Sequence, residues 1–301
     1  MIKVSNDRMI SRVVISTSLG LDGKGIFPHT LKPSYRRLVE VVDKTETTVL
    51  GKSVTRHKRK GNFIPWNPFT WKYIQNLPDH GMFNAYGLTN PGIVKWIKCV
   101  KKIGNSLIVP SFYPEFSKGE DFAIYGTRVA VGMLDEMGAH AIELNLSCPN
   151  SKEIVGKNMA SSLACVKELR KYFPIFIIAK ISIVHPYEFS QELELAGVSA
   201  IHGINTIPFE MVYPNEISPL AKVGGGGVSG KPIFRQAYDY NKKLRKKVKI
   251  PIVMGGGVTC MDDINKYLDL GANAVSICTI ALREPTVATQ IIERFNDVND
   301  V

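Results

Sequence analysis

The segment Gly138-Ala139-His140-Ala141-Ile142-Glu143-Leu144-Asn145 joins the end of a helical pattern to a short apolar run. Related junctions occur at 197–205 and 271–279, where a glycine again precedes a bounded apolar run. A glycine readily takes the left-handed conformation that ends a helix, and a short continuous apolar run is typical of a strand buried on both faces. The repeated junction therefore predicts alternating helices and parallel strands.

Five further apolar runs bring the number of candidate strands to eight. They lie at 12–16, 48–50, 107–109, 175–180 and 250–254. Helical patterns separate the strands, the longest at about 121–137. Eight strand–helix units in 301 residues fit an α/β fold of the (β/α)8 TIM barrel type better than an open doubly wound sheet. We expect a single domain over 1–301, with an insertion at about 54–83 that forms a lid, because that connection is too long for a tight turn.

Composition and charge narrow the class of protein. Lys and Arg number 38 against 27 Asp and Glu, a formal net charge of +11 that favours anionic ligands. The basic clusters at 56–60 and 242–249 lack interleaved aromatic residues, so we expect no nucleic-acid partner. The sequence has no apolar run of membrane-spanning length and no secretory signal pattern, which predicts a cytoplasmic protein without a membrane anchor. Five scattered cysteines without a C-x-x-C pair predict no disulfide framework, zinc site or iron–sulfur site, and we expect no metal.

Polar residues follow most of the candidate strands. In a TIM barrel the C-terminal ends of the strands form the active face, so these residues predict a catalytic face. They are Ser16-Thr17-Ser18, Gly51-Lys52-Ser53, 145–150, 179–182, Asn205-Thr206, 255–257 and Cys278-Thr279. Lys180 ends a strongly apolar run and needs an anionic partner, either permanent or formed during a reaction. Cys148 lies in a loop, whereas Cys99 and Cys165 lie in helical patterns and are expected to be buried.

Two glycine clusters, at 224–230 and 255–258, are expected to form the last βα loops of the barrel. Backbone N–H groups exposed at helix N-termini bind anions, and the late loops of TIM barrels commonly bind phosphate. The spacing differs from G-x-x-x-x-G-K-[ST], which argues against a nucleoside triphosphate loop. We therefore expect a phosphate group at these loops.

The segment 143–150 resembles the signature of the soluble dihydroorotate dehydrogenases, which are FMN-dependent (β/α)8 barrels of pyrimidine biosynthesis. Further features of that family recur in order along the chain. They lie at 51–53, 59–62, 82–92, 179–181, 204–206, 226–230 and 256–258. The resemblance spans roughly residues 12–282, nearly the whole chain.

The resemblance implies a role for particular residues. Cys148 would remove a proton from C5 of dihydroorotate while hydride leaves C6 for the flavin. The substrate would be bound by Asn84, Gly87, Leu88, Asn145, Asn150, Asn205 and Thr206. FMN would be bound by Lys52, Asn145, Lys180, Gly230, Gly256, Gly257 and Thr279. Carboxamides offer donors and acceptors to a planar imide, and a lysine stabilises an anionic reduced flavin, so the chemistry suits these residues.

A cysteine base resembles the cytosolic classes of the family. The pattern at 226–230 is more similar to the NAD-linked class, whose catalytic subunit pairs with a separate iron–sulfur flavoprotein. The resemblance also implies a homodimer. The chain departs from the family pattern at 16–18, Tyr86 and Cys278. Two other functions remain open: a related flavin oxidoreductase acting on another dihydropyrimidine, and a non-redox phosphate-binding barrel.

Overall fold

A computed structural model describes residues 1–100, 107–147 and 158–296. Its strands in chain order are β1 (Ile2–Lys3), β2 (Met9–Ile10), β3 (Val13–Ser16), β4 (Val49–Leu50), β5 (Ile74–Asn76), β6 (Met82–Asn84), β7 (Ile108–Val109), β8 (Ser111–Phe112), β9 (Ala141–Asn145), β10 (Phe176–Lys180), β11 (Ala200–Gly203), β12 (Ile207–Pro208), β13 (Gly227–Ser229), β14 (Ile252–Gly255) and β15 (Ala274–Ile277). Nine of these form one sheet in the order β7-β4-β3-β15-β14-β11-β10-β9-β8, with every neighbouring pair parallel.

This sheet closes into a barrel. Its two end strands, β7 and β8, are parts of one segment separated only by Pro110, which has no N–H to donate to a ladder. The backbone N–H of Glu143 donates to the carbonyl of Pro110 at 2.8 Å and so links the segment to β9 across the interruption. The ring therefore has eight barrel strands, one of them broken in the middle, and the predicted α/β TIM barrel is confirmed.

Helices follow the barrel strands. They are α1 (Pro33–Lys44), α2 (Ile93–Cys99), α3 (Glu120–Glu136), α4 (Met159–Tyr172), α5 (Tyr187–Leu195), α6 (Phe209–Val212), α7 (Phe234–Arg245), α8 (Met261–Asp269), α9 (Thr279–Arg283) and α10 (Pro285–Asn296). Short 3-10 helices lie at His29–Leu31, Pro68–Tyr73, Phe116–Lys118, Ala221–Val223 and Lys231–Ile233. The helical pattern at 121–137 corresponds to α3. Cys165 is buried in α4, as expected, and its burial raises the pKa of the thiol to about 12.

The barrel interior has an apolar layer and a polar layer. Successive strand residues point to opposite faces, so alternate residues share the interior. The apolar layer, which packs with Ile2 and Ile10 of the β1–β2 hairpin, consists of Val14, Leu50, Val109, Ala141, Ile178, Ala200, Val253 and Ala274. Two positions further along six of these strands lie the buried polar residues Ser16, Ser111, Glu143, Lys180, His202 and Ser276. The polar layer therefore lies toward the C-terminal ends of the strands.

A second, antiparallel sheet has the order β12-β13-β6-β5. Strands β5 and β6 come from the connection between β4 and α2, and β12 and β13 come from the connection between β11 and α7. The predicted insertion at 54–83 contributes β5 and ends within β6. Asn84, at the end of β6, pairs with both Ile74 and Gly227. Two distant insertions thus form one sheet that carries a predicted substrate residue.

The expectation that both glycine clusters form the last βα loops was wrong for the first cluster. It lies in the connection after β11, and its residues Gly227–Ser229 form β13. Gly226 has a φ of +85°, and a Cβ there would lie 2.7 Å from the Phe83 ring and 2.9 Å from the carbonyl oxygen of Asn84. Glycine is required here because the strand begins in close contact with β6. The second cluster follows β14, and Thr279 is the first residue of α9, the helix after β15.

Candidate active site

A cavity opens at the C-terminal ends of the barrel strands, next to the antiparallel sheet. Most of the predicted site residues line this cavity, namely Lys52, Asn84, Leu88, Asn145, Lys180, Asn205, Thr206, Gly230, Gly256, Gly257 and Thr279. Gly87 does not line it. With a φ of +76°, Gly87 instead packs so closely on the neighbouring loop that a Cβ would lie 2.8 Å from the backbone nitrogen of Asn62. Cys148 and Asn150 lie outside the described residues.

Two of the predicted carboxamides contact each other. Asn205 Nδ2 donates to Asn145 Oδ1 at 3.3 Å and to the carbonyl oxygen of Ser147 at 3.1 Å. Asn145 ends β9 and Asn205 follows β11, so neighbouring regions of the barrel rim bring them together. Ser147, which this contact holds, directly precedes the predicted base Cys148 in the sequence.

Lys180 ends β10 and is buried at the cavity, 6 % exposed. Its ammonium donates to Ser16 Oγ at 3.1 Å. The carboxylate of Glu143, which has no exposed surface, lies near enough for the charge of Lys180 to act on it. Burial alone would raise the pKa of Glu143, but the charge of Lys180 and hydrogen bonds from His202 and Ser111 outweigh burial and lower the pKa to about 2. Glu143 is therefore ionised at neutral pH.

His202 is buried beside this carboxylate. Its Nδ1 lies 2.6 Å from Glu143 Oε2, and its Nε2 lies 2.8 Å from Ser276 Oγ. Burial and the nearby charge of Lys180 lower the pKa of His202 below its ordinary value. A neutral imidazole then donates from Nδ1 to the carboxylate and accepts from the Ser276 hydroxyl at Nε2.

Sequence reasoning missed Glu143, His202 and Ser276 as members of the site. They could have been found from the alternation of side chains along each strand, because residues two positions apart face the same side. Glu143 lies two positions before Asn145, and the register pairs His202 with Lys180 across neighbouring strands. Residues that share the interior face with a strand-end site residue would have been the next candidates.

Two serine hydroxyls connect Glu143 to the carboxamide of Asn145 at the cavity. Ser111 Oγ donates to Glu143 Oε1 at 2.8 Å, and Ser111 Oγ lies 2.9 Å from Ser53 Oγ. Asn145 Nδ2 in turn donates to Ser53 Oγ at 2.8 Å. The ionised carboxylate and a wall of the cavity are therefore joined by continuous hydrogen bonds.

Tyr86, one of the departures from the family pattern, lies in the cavity. The Lys52 ammonium is 3.1 Å from the centroid of its ring, and the Phe63 ring is 4.9 Å away on a tilted plane. Burial raises the pKa of the Tyr86 phenol, so the hydroxyl stays protonated. The Tyr86 ring and the Lys52 ammonium thus line the same cavity as Asn84 and Leu88.

The cavity has features that suit a polar ligand. Among the described residues, the buried hydroxyl oxygens of Ser18 and Thr206 have no hydrogen-bond partner, and both residues line the cavity. A bound ligand would satisfy such groups. Gly256 and Gly257 have φ values of +109° and +80°, and a Cβ at either position would collide with α7. Their backbone can therefore follow its close path past α7 only because both residues are glycine.

Residues 1–100, 107–147 and 158–296 contain neither a metal-binding cluster of side chains nor a membrane-spanning helix. In these ranges no group of three or more His, Cys, Asp or Glu side chains could hold a metal ion. No described helix combines the length and the apolar character needed to cross a bilayer.

Comparison with known proteins decides the family. A family model described as dihydroorotate dehydrogenase matches residues 37–298. The chain belongs to the dihydroorotate dehydrogenase family. The resemblance identified on 143–150 is thereby confirmed.

Relatives of this dihydroorotate dehydrogenase family member include two proteins named dihydroorotate dehydrogenase B (NAD(+)), catalytic subunit. The one from Oceanobacillus iheyensis is 29 % identical over 271 residues, covering 84 % of each chain. The one from Parabacteroides distasonis is 28 % identical over 275 residues, covering 87 % of this chain and 85 % of the relative. Among solved structures, a ligand-free DHODH from Eimeria tenella superposes with a TM-score of 0.69 at 17 % identity, covering 93 % of this chain and 82 % of that one. That likeness supports the barrel fold.

Proposed function

We propose that this protein oxidises dihydroorotate to orotate with bound FMN, as a step of pyrimidine biosynthesis. The observation that carries the proposal is the convergence of Lys180 with the carboxamides of Asn84, Asn145 and Asn205 in one cavity. Each carboxamide offers two donors and an acceptor, which suits the alternating N–H and C=O groups of a dihydropyrimidine ring. The family and the named relatives support the same reaction.

FMN fits the residues at the cavity, and when bound it supplies the acceptor for the hydride from C6 of the substrate. Lys52 and Lys180 would hold the flavin ring, and their positive charges favour an electron-rich partner. Gly230, Gly256 and Gly257, with the Thr279 hydroxyl, would hold the ribityl phosphate. The partnerless hydroxyl of Ser18 supports the presence of a polar ligand on this wall.

Cys148 is proposed to act as the base. Its thiolate would take the proton from C5 of dihydroorotate, and the resulting C5=C6 double bond completes orotate. The contact between Asn205 and Ser147 holds the backbone directly before Cys148 beside the cavity. Asn150 and Thr206 are proposed to complete the substrate contacts.

The test is flavin reduction by the purified protein. We expect a yellow protein with one noncovalent FMN, whose visible absorbance bleaches when dihydroorotate is added without oxygen. Dihydrouracil, which lacks the carboxylate, is the matched control and should bleach the flavin far more slowly. A colourless protein that also fails to take up added FMN would contradict the proposal and favour a non-redox barrel.

A second candidate is oxidation of another dihydropyrimidine, and Tyr86 favours it. Its ring occupies the cavity wall beside Asn84 and Leu88, where bulk affects the shape of the substrate site. Comparing bleaching rates for dihydroorotate, dihydrouracil and dihydrothymine separates the two candidates. Faster reduction by a dihydropyrimidine without the carboxylate would establish the second function.

We propose that electrons from the reduced flavin pass to NAD through a separate iron–sulfur flavoprotein subunit. The support is the name of the relatives, each a catalytic subunit of an NAD-linked enzyme. We expect the isolated chain, proposed as a homodimer, to reduce NAD slowly and a matching partner subunit to restore the rate. Rapid NAD reduction by the isolated chain would contradict the need for a partner subunit. Rapid fumarate reduction would indicate that the chain belongs to the cytosolic class of the family that is not NAD-linked.

A further inference from the structure

The buried carboxylate of Glu143 receives hydrogen bonds from two directions. On one side His202 Nδ1 approaches Oε2 at 2.6 Å, and Ser276 Oγ approaches Nε2 of the same histidine at 2.8 Å. On the other side Ser111 Oγ donates to Oε1 at 2.8 Å. Both carboxylate oxygens are thus occupied by donors, and neither Glu143 nor His202 was assigned a role in the proposed reaction.

The direction of the second set of bonds follows from hydroxyl chemistry. A hydroxyl has one hydrogen, and an ionised carboxylate can only accept. Ser111 gives its hydrogen to Glu143, so in its 2.9 Å contact with Ser53 it must accept. Ser53 has then used its own hydrogen and must accept from its remaining neighbour, which is Asn145 Nδ2 at 2.8 Å.

The same direction fixes which way the Asn145 carboxamide faces. Its nitrogen points to Ser53, and its oxygen accepts from Asn205 Nδ2 at 3.3 Å. A flipped amide would place an acceptor against a hydroxyl with no hydrogen left to give. It would also oppose the nitrogen of Asn145 to the nitrogen of Asn205, so the flipped form is disfavoured twice.

We propose that Glu143 is a positioning residue for substrate binding: through Ser111 and Ser53, its carboxylate fixes the orientation of the Asn145 carboxamide in the cavity. The inference rests on the proposed function, because Asn145 is there a substrate contact. Glu143 itself has no exposed surface and is linked to Asn145 through Ser111 and Ser53.

The other contacts of Glu143 keep it in the required state. His202 donates to its second oxygen and is itself held by Ser276, so the carboxylate cannot rotate away from Ser111 without losing a bond. The positive charge of Lys180 lowers the pKa of Glu143, against the effect of burial. An ionised acceptor is what gives the chain of hydroxyls a single direction.

Two substitutions test the chain in the FMN-bound protein. Glu143→Gln keeps the shape of the side chain but introduces an amide donor. Ser111 can then accept a hydrogen bond from it, and the hydrogen bonds through Ser111 and Ser53 no longer have one fixed direction. Ser111→Ala removes the hydroxyl that joins Glu143 to Ser53 and leaves the Glu143 carboxylate in place. Orotate affinity is measured from the change in visible flavin absorbance on titration of the oxidised protein, a readout that needs no turnover. We expect each variant to bind orotate about ten-fold more weakly, the cost of one unsatisfied buried group.

The double variant is decisive. If both residues act through the same series of hydrogen bonds, the double variant Glu143→Gln with Ser111→Ala should bind orotate no more weakly than the single variant that has the lower orotate affinity. Glu168→Gln is the matched control, because that carboxylate pairs with Arg128 and Lys171 on the helices outside the barrel. It should leave orotate affinity unchanged.

The outcomes separate this inference from the proposed function. If the wild-type protein binds no orotate, both are overturned. If the wild type binds orotate and the variants bind it equally well, or if the two losses add fully, only the inference is overturned. Should Glu143→Gln fail to fold, Ser111→Ala and Ser53→Ala test the same chain, and unchanged orotate affinity in both would refute it.

Discussion

The Lys52 ammonium lies 3.1 Å from the centroid of the Tyr86 ring. A cation over the face of an aromatic ring is attracted by the ring's negative face, and the attraction grows when both groups are shielded from water. Tyr86 is partly buried, packs on Phe63, and replaces a smaller residue of the family pattern. The lysine proposed to contact the flavin is therefore held by the ring of Tyr86.

We predict that Tyr86→Leu weakens FMN binding by about ten-fold, because a contact of roughly 0.5–2 kcal/mol with Lys52 is lost. Tyr86→Phe keeps the ring and should bind FMN nearly as well as the wild type. The measurement is titration of the apoprotein with FMN, followed by quenching of flavin fluorescence. Equal losses in the two variants would show that the hydroxyl, and not the ring, matters.

We predict that Lys180→Ala both weakens FMN binding and slows flavin reduction by about 100-fold, the usual scale for removing a preorganised positive group. Lys180 is buried at the cavity and is held by Ser16. Stopped-flow bleaching with dihydroorotate, at FMN concentrations that saturate the variant, measures the rate. Lys171→Ala, which alters an exposed lysine paired with Glu168, is the control and should leave the rate unchanged.

The barrel could be predicted from the sequence because its signals are local. The glycine that ends a helix and the apolar run that follows it occur within eight residues at 138–145, so no knowledge of distant contacts is needed. The cavity residues followed from one rule, that strand ends form the active face. Lys180, Asn145 and Asn205 were found in this way.

The antiparallel sheet and the Glu143–His202 contact could not be found in the same way. Pairing of β6 with β13 joins segments about 145 positions apart, and the glycine-rich sequence of the second segment indicates a loop. Glu143 on β9 and His202 on β11 are 59 positions apart, and β10 lies between their strands. They meet only because both side chains point into the barrel interior. Period-two alternation identifies each as interior, but only the three-dimensional ring of strands makes them partners.

We predict that stability falls with acid in two stages. His202 has a lowered pKa, so the unfolded chain takes up a proton below about pH 6.5 that the native imidazole resists. Glu143 has its pKa lowered to about 2, so below about pH 4.5 the unfolded chain again binds a proton that the native state does not. Both effects stabilise the native state at neutral pH, and both are lost as the pH falls.

For Glu143 the loss amounts to about 3 kcal/mol of the free energy of unfolding between about pH 4.5 and 2. Urea denaturation of the FMN-bound protein from pH 7 to pH 3 measures the trend. Glu143→Gln should be less stable at pH 7 and should lose less of its remaining stability below pH 4.5. A variant with the same acid dependence as the wild type would show that Glu143 is not ionised in the native protein.

The last prediction concerns Cys148 as the base. A thiol of reference pKa about 8.5 is only a few per cent thiolate at pH 7. Flavin reduction by dihydroorotate should therefore rise with pH until the group is ionised in the complex. Cys148→Ser should slow the reductive half-reaction by about 100-fold or more, because a hydroxyl is a far weaker acid and needs stronger activation. Cys148→Ala should be slower still.

Flavin binding separates this role from a structural one. A loop cysteine without a catalytic role predicts small changes in stability and the same rate and pH profile in both variants. If Cys148 is the base, both variants should bind FMN as the wild type does. Their rate of flavin reduction should no longer depend on pH, because the titrating group has been removed. Stopped-flow bleaching from pH 6 to pH 10 in the wild type, Cys148→Ser and Cys148→Ala distinguishes these cases, and an unaltered profile in Cys148→Ser would remove Cys148 from the mechanism.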